Sequence, residues 1–380
     1  MIGQKGIPAG SGGIERHVEE LSAELAKHGH EVLVYGRSWY TKEKGTYSGV
    51  RSVLIPTFHT KYTDTFIHTL FSIFHATKEK VDIFHFHGVG PSLLCWLPKL
   101  LRPSAKVIAT FHCIDRHHQK WGALARWFLH LGEYAACKFP DATISVSQSL
   151  KNYCRLDYAK TTIYIPNGTQ IPTETPSKKL LEKFDLTSGN YVLFCARLVK
   201  HKGAHLLIEA WKKLIEKHPE LVQDKKLAIV GGPTFTDNYV RQLQTMIHDT
   251  PSIVMTGTQV GENLYALYGH CLAMVHPSES EGMPITILEA MSYGKCVLAS
   301  DIPENMELVQ EYGLTFQNGN VDHLVEKMAE MLENQDKIQV IGRDARAFVA
   351  RQFDWKDIGE VTSCLYEVLK MEPKLKEAKI

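Results

Sequence analysis

The chain alternates strand and helix, breaks, and then alternates again; few folds accommodate that order. Runs of buried-strand character stand at EVLVYG (31–36), DIFHFHG (82–88), KVIATFHC (106–113), ATISVS (142–147) and TIYIPNG (162–168). Helical segments such as Gly13–His28 and Trp121–Lys138 lie between them. Residues 169–190, TQIPTETPSKKLLEKFDLTSGN, are rich in proline, threonine and serine and read as a linker running into a short helix. Strands then return at YVLFCARL (191–198), KLAIVGG (226–232), SIVMTG (252–257), CLAMVHP (271–277) and KCVLAS (295–300). Helices near 203–217, 237–248, 284–293 and 322–333 separate them. A repeated βαβα order predicts parallel sheets with helices on both faces. The expected fold is α/β, with two tandem doubly wound domains facing a central cleft. The expected bounds are 1–170, 171–354 and a C-terminal helix in 355–380. That helix, 355–371, carries an apolar face of Trp355, Ile358, Val361, Leu365 and Val368. Only Met1 and Ile2 precede Gly3, so the first strand is expected to be very short or truncated.

A length of 380 residues allows two ordinary domains, and 44% apolar with 22% charged residues is typical of soluble globular chains. No run approaches the ~18 apolar residues of a membrane span. No secretory signal is visible. Eight scattered cysteines without a CxxC pair read as reduced thiols of a cytoplasmic protein, Cys113, Cys195, Cys271 and Cys296 lying inside apolar runs. A zinc site is therefore not expected. Net charge is +1 but uneven: residues 1–168 hold 20 Lys+Arg against 13 Asp+Glu, and residues 169–380 hold 23 against 29. The basic half also holds 12 of the 19 histidines. A basic half can attract an anionic acceptor or an anionic membrane surface, with peripheral contact at the inner membrane face as the expectation; the competing reading is a solvated surface with no partner. No nucleic-acid partner is expected. KWGALARWFLHL (120–131) has the composition of a membrane-surface helix, but the favoured reading is a core-facing one.

The richest stretch for chemistry is HPSESEGMPITILEAMSYGK (276–295). A helix can start at Pro284 and end near Gly294. Glu281 then precedes the helix and Glu289 lies within it, on nearly the same side of the axis and about 12 Å apart. Ile285, Leu288 and Met291 form a core face. Two carboxylates flanking a helix N-terminus suit a ligand with hydroxyls at both ends and an anion in the middle. A nucleotide-diphospho-sugar fits: sugar near Glu281, ribose near Glu289, phosphates against N–H groups of Gly282, Met283, Pro284's neighbours and Ile285. The competing reading is an ordinary amphipathic helix.

Arg197 and Lys202 follow the strand YVLFCARL, where two cations can neutralise a diphosphate. Gly10-Ser11-Gly12-Gly13 leads into a helix whose Ile14, Val18, Leu21 and Leu25 face the core. Such a loop lets an anion approach the backbone. It departs from GxGxxG, having Glu15 at the third glycine position, which argues against a dinucleotide. His112 ends one strand, with Asp115 in the next turn, and His85 and His87 end its neighbour. His112 can orient an acceptor or the transferred group; a metal there has only weak support from spacing. The chain lacks a DxD pair, a GxxxxGK[ST] loop, a GxSxG elbow and a catalytic Cys–His signature. With no metal or cofactor in evidence, leaving-group charge falls to Arg197, Lys202 and helix N-termini.

Over nearly its whole length the chain resembles glycosyltransferase family 4, with the GT-B architecture of two Rossmann-like domains. The carriers are GGIERHVEEL (12–21), TFHCID (110–115), SVSQSL (145–150), IPNG (165–168), ARLVKHKG (196–203), IVGGP (229–233) and PSESEGMPITILEAMSYGKCVLAS (277–300). The last matches the family's E-x7-E pattern at Glu281 and Glu289. The opening GIPAGSGGIERHVEEL is similar to bacterial members that build surface polysaccharides, rhamnosyltransferase-like ones included. The resemblance implies retaining, metal-independent transfer of a hexose from a nucleotide-sugar, a UDP-sugar first, to a saccharide or lipid-linked acceptor. It implies an acceptor-binding first domain, a donor-binding second domain, and a final helix crossing back to the first. Gly12 and Gly13 would approach the donor phosphates and Arg197 and Lys202 grip them. Glu281 would face the hexose, Glu289 the ribose, and His112 the transferred sugar, with Asp115 and His87 on the acceptor side. The alternatives are an epimerase or phosphorylase of the same fold, or a non-catalytic partner subunit.

Overall fold

A computed structural model describes residues 1–42, 44–60, 63–117 and 122–377. Lys120 and Trp121, at the head of the aromatic segment, lie outside the described residues. The chain divides into two compact units, Met1–Gly168 with Trp355–Ile380, and Thr169–Asp354.

In the first unit the strands are β1 (Leu33–Arg37), β2 (Gly45–Tyr47), β3 (Val50–Ile55), β4 (Ile83–His87), β5 (Lys106–Phe111), β6 (Ala142–Ser145) and β7 (Ile163–Tyr164). The helices are α1 (Gly13–Lys27), α2 (Asp64–Lys78), α3 (Val89–Ser92), α4 (Leu97–Leu101), α5 (Ala123–Lys138) and α6 (Gln148–Tyr158). The strands form two ladders, β1-β3-β2 and the parallel β4-β5-β6-β7. Met1 and Ile2 join them. The Tyr35 N–H donates to Met1 O, the Ile2 N–H to His85 O and the His87 N–H to Ile2 O, at 2.9–3.1 Å. Met1 and Ile2 thus bridge the two ladders, with Ile2 paired to β4 at Phe86.

In the second unit β8 (Tyr191–Cys195), β9 (Lys226–Val230), β10 (Ile253–Gly257), β11 (Ala273–His276), β12 (Val297–Ser300) and β13 (Leu314–Phe316) form one parallel sheet of order β10-β9-β8-β11-β12-β13. β8, β11 and β12 are buried throughout, as strands covered on both faces must be. The covering helices are α7 (Ala204–Lys217), α8 (Pro219–Val222), α9 (Asp237–Ile247), α10 (Gly261–His270), α11 (Ile285–Ser292), α12 (Pro303–Val309), α13 (Val321–Glu333) and α14 (Gln335–Gln352). Phe194, Trp211, Leu227, Val275 and Leu298 centre the core.

The last helix, α15 (Trp355–Glu377), belongs to the first unit and packs along α1. Its buried seam is Trp355, Ile358, Thr362, Tyr366 and Leu369. Val361 and Val368, expected in that seam, are exposed. The stripe at spacings of three and four runs through Thr362 and Tyr366, whose polar atoms are satisfied by Ile358 O and by His85.

Candidate active site

β8 and β11 are neighbours in the sheet, yet the chain leaves them toward opposite edges. The carboxyl ends of two such strands open a crevice, the place where doubly wound sheets bind ligands. The loop after β8 carries Arg197 and Lys202; the loop after β11 carries Glu281. Backbone and side-chain bonds stitch the loops together: the Glu279 N–H donates to His201 O at 2.8 Å, and Ser278 Oγ to the same oxygen at 3.2 Å. Gly203 sits at φ +74, and a Cβ there would fall 2.0 Å from Pro277 O. Gly203→Ala is expected to cost more than about 2 kcal/mol, read as a lowered Cm in urea with m unchanged.

The stitched loops bring three side chains together. Lys202 Nζ donates to Glu281 Oε1, and His276 Nε2 lies 2.8 Å from the same oxygen. The Glu281 side chain is 8% exposed, Lys202 13% and His276 1%. Burial alone would raise the carboxyl's pKa. The Lys202 charge and the His276 hydrogen bond outweigh it and hold Glu281 well below the usual carboxylate range. An ionised carboxylate only accepts, so His276 donates to it through Nε2. Its Nδ1 is buried with no partner among the described residues. Arg197 is half-buried, and its guanidinium makes no ion pair or hydrogen bond with a described residue. A cation left unpaired at a strand end is available to an anion.

α11 starts one residue later than the sequence suggests. Pro284 has ψ 107 and caps the helix from outside, and Ile285 is its first residue. Gly294 follows the helix end at φ +70, as expected. Ile285, Leu288 and Met291 are buried, as expected of its core face. The backbone N–H groups of Gly282, Ile285 and Thr286 have no acceptor among the described residues, and Pro284 has none to offer. Glu289 is half-buried on α11. Burial, with Cys195 and Glu289 beside it, pushes the Tyr268 phenol far up, so this hydroxyl stays protonated beside the Glu289 carboxylate.

In the first unit, four histidines meet at the ends of Ile2, β4 and β5. His87 Nδ1 lies 3.2 Å from His112 Nε2, and His87 Nε2 lies 3.1 Å from Met1 Sδ. A thioether only accepts, so His87 donates to Met1 through Nε2 and accepts from His112 through Nδ1. His85 bonds Tyr366 Oη and Thr110 Oγ1. His17, from α1, bonds Asn167 Oδ1 through Nδ1 at 2.8 Å, and its Nε2 is buried without a partner among the described residues. Burial keeps all four neutral: His17 is pushed down to about 4, and His85, His87 and His112 lie well below the ordinary imidazole value. The ligating atoms of His17, His87 and His112 lie within 4.8 Å of one another, so among the described residues these three could together take a metal ion. Asp115 is half-buried at the start of a 3₁₀ turn, with Cys113 Sγ 3.4 Å from its Oδ1.

The glycine loop is already occupied by carboxylates. Glu15 accepts from the Lys5 N–H at 3.1 Å and Glu19 from the Ala9 N–H at 3.2 Å. Gly12 is at φ +104 with Glu15 Oε2 where its Cβ would be, while nothing crowds Gly13. His276, His17 and Asn167 were not singled out from the sequence, although His276 ends its strand just as His112 nearly ends another.

Two family models match. Residues 11–171 match the model described as Glycosyltransferase Family 4, and residues 178–348 the model for glycosyl transferases group 1. The chain belongs to glycosyltransferase family 4. This family 4 enzyme is 23% identical over 383 residues to the phosphatidylinositol N-acetylglucosaminyltransferase gpi3 subunit of Schizosaccharomyces pombe, covering 96% of this chain and 79% of that one. Among solved structures it is similar to the sucrose-phosphate synthase of Thermosynechococcus elongatus, with TM-score 0.79, 20% identity and 94% of each chain covered. It is also similar to Anabaena HepE in complex with UDP-glucose, with TM-score 0.77, 19% identity, 95% of this chain and 97% of that one. These likenesses establish the GT-B fold, two Rossmann-like α/β domains. The family 4 members carry glycosyltransferase activity, and this chain is a glycosyltransferase.

Proposed function

We propose that this glycosyltransferase moves a hexose, with retention, from a nucleoside-diphospho-sugar to a hydroxyl of a saccharide or lipid-linked acceptor. The observation that carries this reading is the Glu281–Lys202–His276 cluster at the β8/β11 switch point, beside an unpaired Arg197 and the open N–H groups at the start of α11. The arrangement supplies positive charge where a diphosphate leaves and a fixed carboxylate where a sugar hydroxyl docks. The solved complex of HepE with UDP-glucose supports a UDP-sugar as the first donor to test. The name of the S. pombe relative supports a lipid-borne acceptor.

In this reading the donor occupies the second unit, with its hexose at Glu281 and its ribose at Glu289. Arg197, Lys202 and the N–H groups of Gly282 and Ile285 hold the diphosphate, and Met283 and Pro284 line its path. The acceptor occupies the first unit, with His112 beside the transferred sugar and Asp115 and His87 behind the acceptor. The acceptor oxygen bonds to the anomeric carbon as the bond from that carbon to the diphosphate breaks. The departing phosphate takes the acceptor proton on the same face, which retains configuration.

Lys202, Arg197 and the N–H groups at the start of α11 can carry the charge of a departing diphosphate, and in this reading the reaction proceeds without a metal or cofactor. Turnover of a UDP-sugar measured before and after exhaustive EDTA treatment is expected to be unchanged. A rate abolished by EDTA and restored by Mg²⁺ or Mn²⁺ would overturn metal independence.

A further inference from the structure

Helix α5 faces the opposite way from a helix of a water-bounded protein. Leu124, Trp127 and Phe128 point outward, 70%, 54% and 47% exposed, and Tyr134 extends the same stripe. Apart from Glu133, the buried side is small: Gly132, Ala135, Ala136 and Cys137. Gly132 packs so tightly on α3 that a Cβ would fall 2.2 Å from Val89 O. The small residues are what seat the helix, and that seating turns the large ones out. The core-facing reading of this segment is therefore corrected.

The same inversion recurs next door. On α2, Phe66, Phe71 and Phe74 are exposed while Ser72, Ile73 and Ala76 are buried. Beside it, Trp96 precedes α4, whose Leu100 and Leu101 are exposed. α2 touches α3 and α4, and α3 touches α5. The outcome is an apolar, aromatic surface on adjoining helices. Among the described residues the second unit has only single exposed large side chains, such as Phe235 and Val340. Scattered residues of that kind need no explanation, whereas a contiguous patch marks an interaction site.

Charge selects the partner. No carboxylate on α2, α4 or α5 faces solvent: Asp64 is buried against Arg37 at 2.8 Å, Glu133 is buried against Arg116 at 3.0 Å, and α4 has no acid. The exposed charges on these helices are Lys78, Arg126 and Lys138, all positive. A symmetric contact with a second copy would place like charges together. An anionic bilayer interface offers the complement, a headgroup layer for aromatic rings and phosphates for the bases. No described helix is long and apolar enough to cross a membrane, so contact is in the plane of the surface.

We infer that α2, α4 and α5 form a surface by which the first unit rests on an anionic lipid bilayer. It names the surface for the lipid-borne acceptor suggested above, but the inference depends on no part of the donor site.

The test uses the full chain in co-sedimentation with phosphatidylcholine vesicles, with and without phosphatidylglycerol. Two variants, Trp127→Ser/Phe128→Ser and Phe71→Ser/Phe74→Ser, are compared with Phe235→Ser as a control. Binding is expected only with phosphatidylglycerol present, weakened by salt. Either double variant lowers it at least about tenfold, since each removes two interfacial aromatics, and the control leaves it unchanged. Nucleotide release from the donor in the absence of vesicles stays at the unsubstituted rate, which separates this test from the donor assignment. Absence of binding to phosphatidylglycerol vesicles overturns the inference. So does binding that survives both variants, or a dimer in light scattering that the same substitutions dissolve without any vesicle binding.

Discussion

Glu281→Gln lowers transfer by about a hundredfold to a thousandfold and leaves the protein folded. Glutamine keeps the size of the side chain and an oxygen for Lys202 and His276. It removes the negative charge that fixes both, so the lysine is no longer held in place. The cost in stability is small because Lys202, 13% exposed, can swing its ammonium toward water. Initial rates and a thermal melt on the same sample check this; a normal rate refutes the role, and an unfolded variant shows the residue to be structural.

Lys202→Met has the opposite balance. The carboxylate it abandons is almost fully buried and cannot escape. Breaking a buried pair from one side costs about 3–5 kcal/mol, and urea unfolding near neutral pH measures it. The pH dependence reverses as well. In the parent protein the folded pKa of Glu281 is depressed. Its contribution is complete above the ordinary carboxylate pKa and fades only as pH falls through the folded value. Without Lys202, burial acts against the His276 hydrogen bond alone and the folded pKa rises. A raised pKa gives stability that is complete below the ordinary value and lost as pH climbs through the folded one. The variant is therefore expected to gain stability from neutral toward mildly acidic pH, where the parent does not; a cost that does not change with pH would contradict this electrostatic origin.

The strands of both units were legible because parallel buried strands leave unbroken apolar runs, as YVLFC and KLAIV do. The bridge made by Met1 and Ile2 was legible only as a puzzle, since its partners Tyr35, His85 and His87 are remote in sequence. The hairpin β2–β3 escaped because its strands are short and half-exposed. Periodicity predicted α15 but misplaced its seam. Val361 and Val368 are apolar, but Thr362 and Tyr366 are the residues that find partners inside. Periodicity also could not orient α5, because an apolar stripe has the same period whichever way it faces; the close-packed Gly132 decides it. At the site, Arg197 and Lys202 were legible as charges just past a strand end, and Glu281 as a carboxylate just before a helix. His276 was not, because a histidine before Pro277 in a run of apolar residues reads as core until the loop brings Glu281 back onto it.

Nucleotide release from a panel of UDP-, GDP-, ADP- and dTDP-sugars, measured for the parent protein beside Glu281→Gln, addresses the donor site most directly. Slow release from one donor, lost in the variant, is the expected result. Release that continues undiminished after the substitution would contradict a donor sugar held at Glu281.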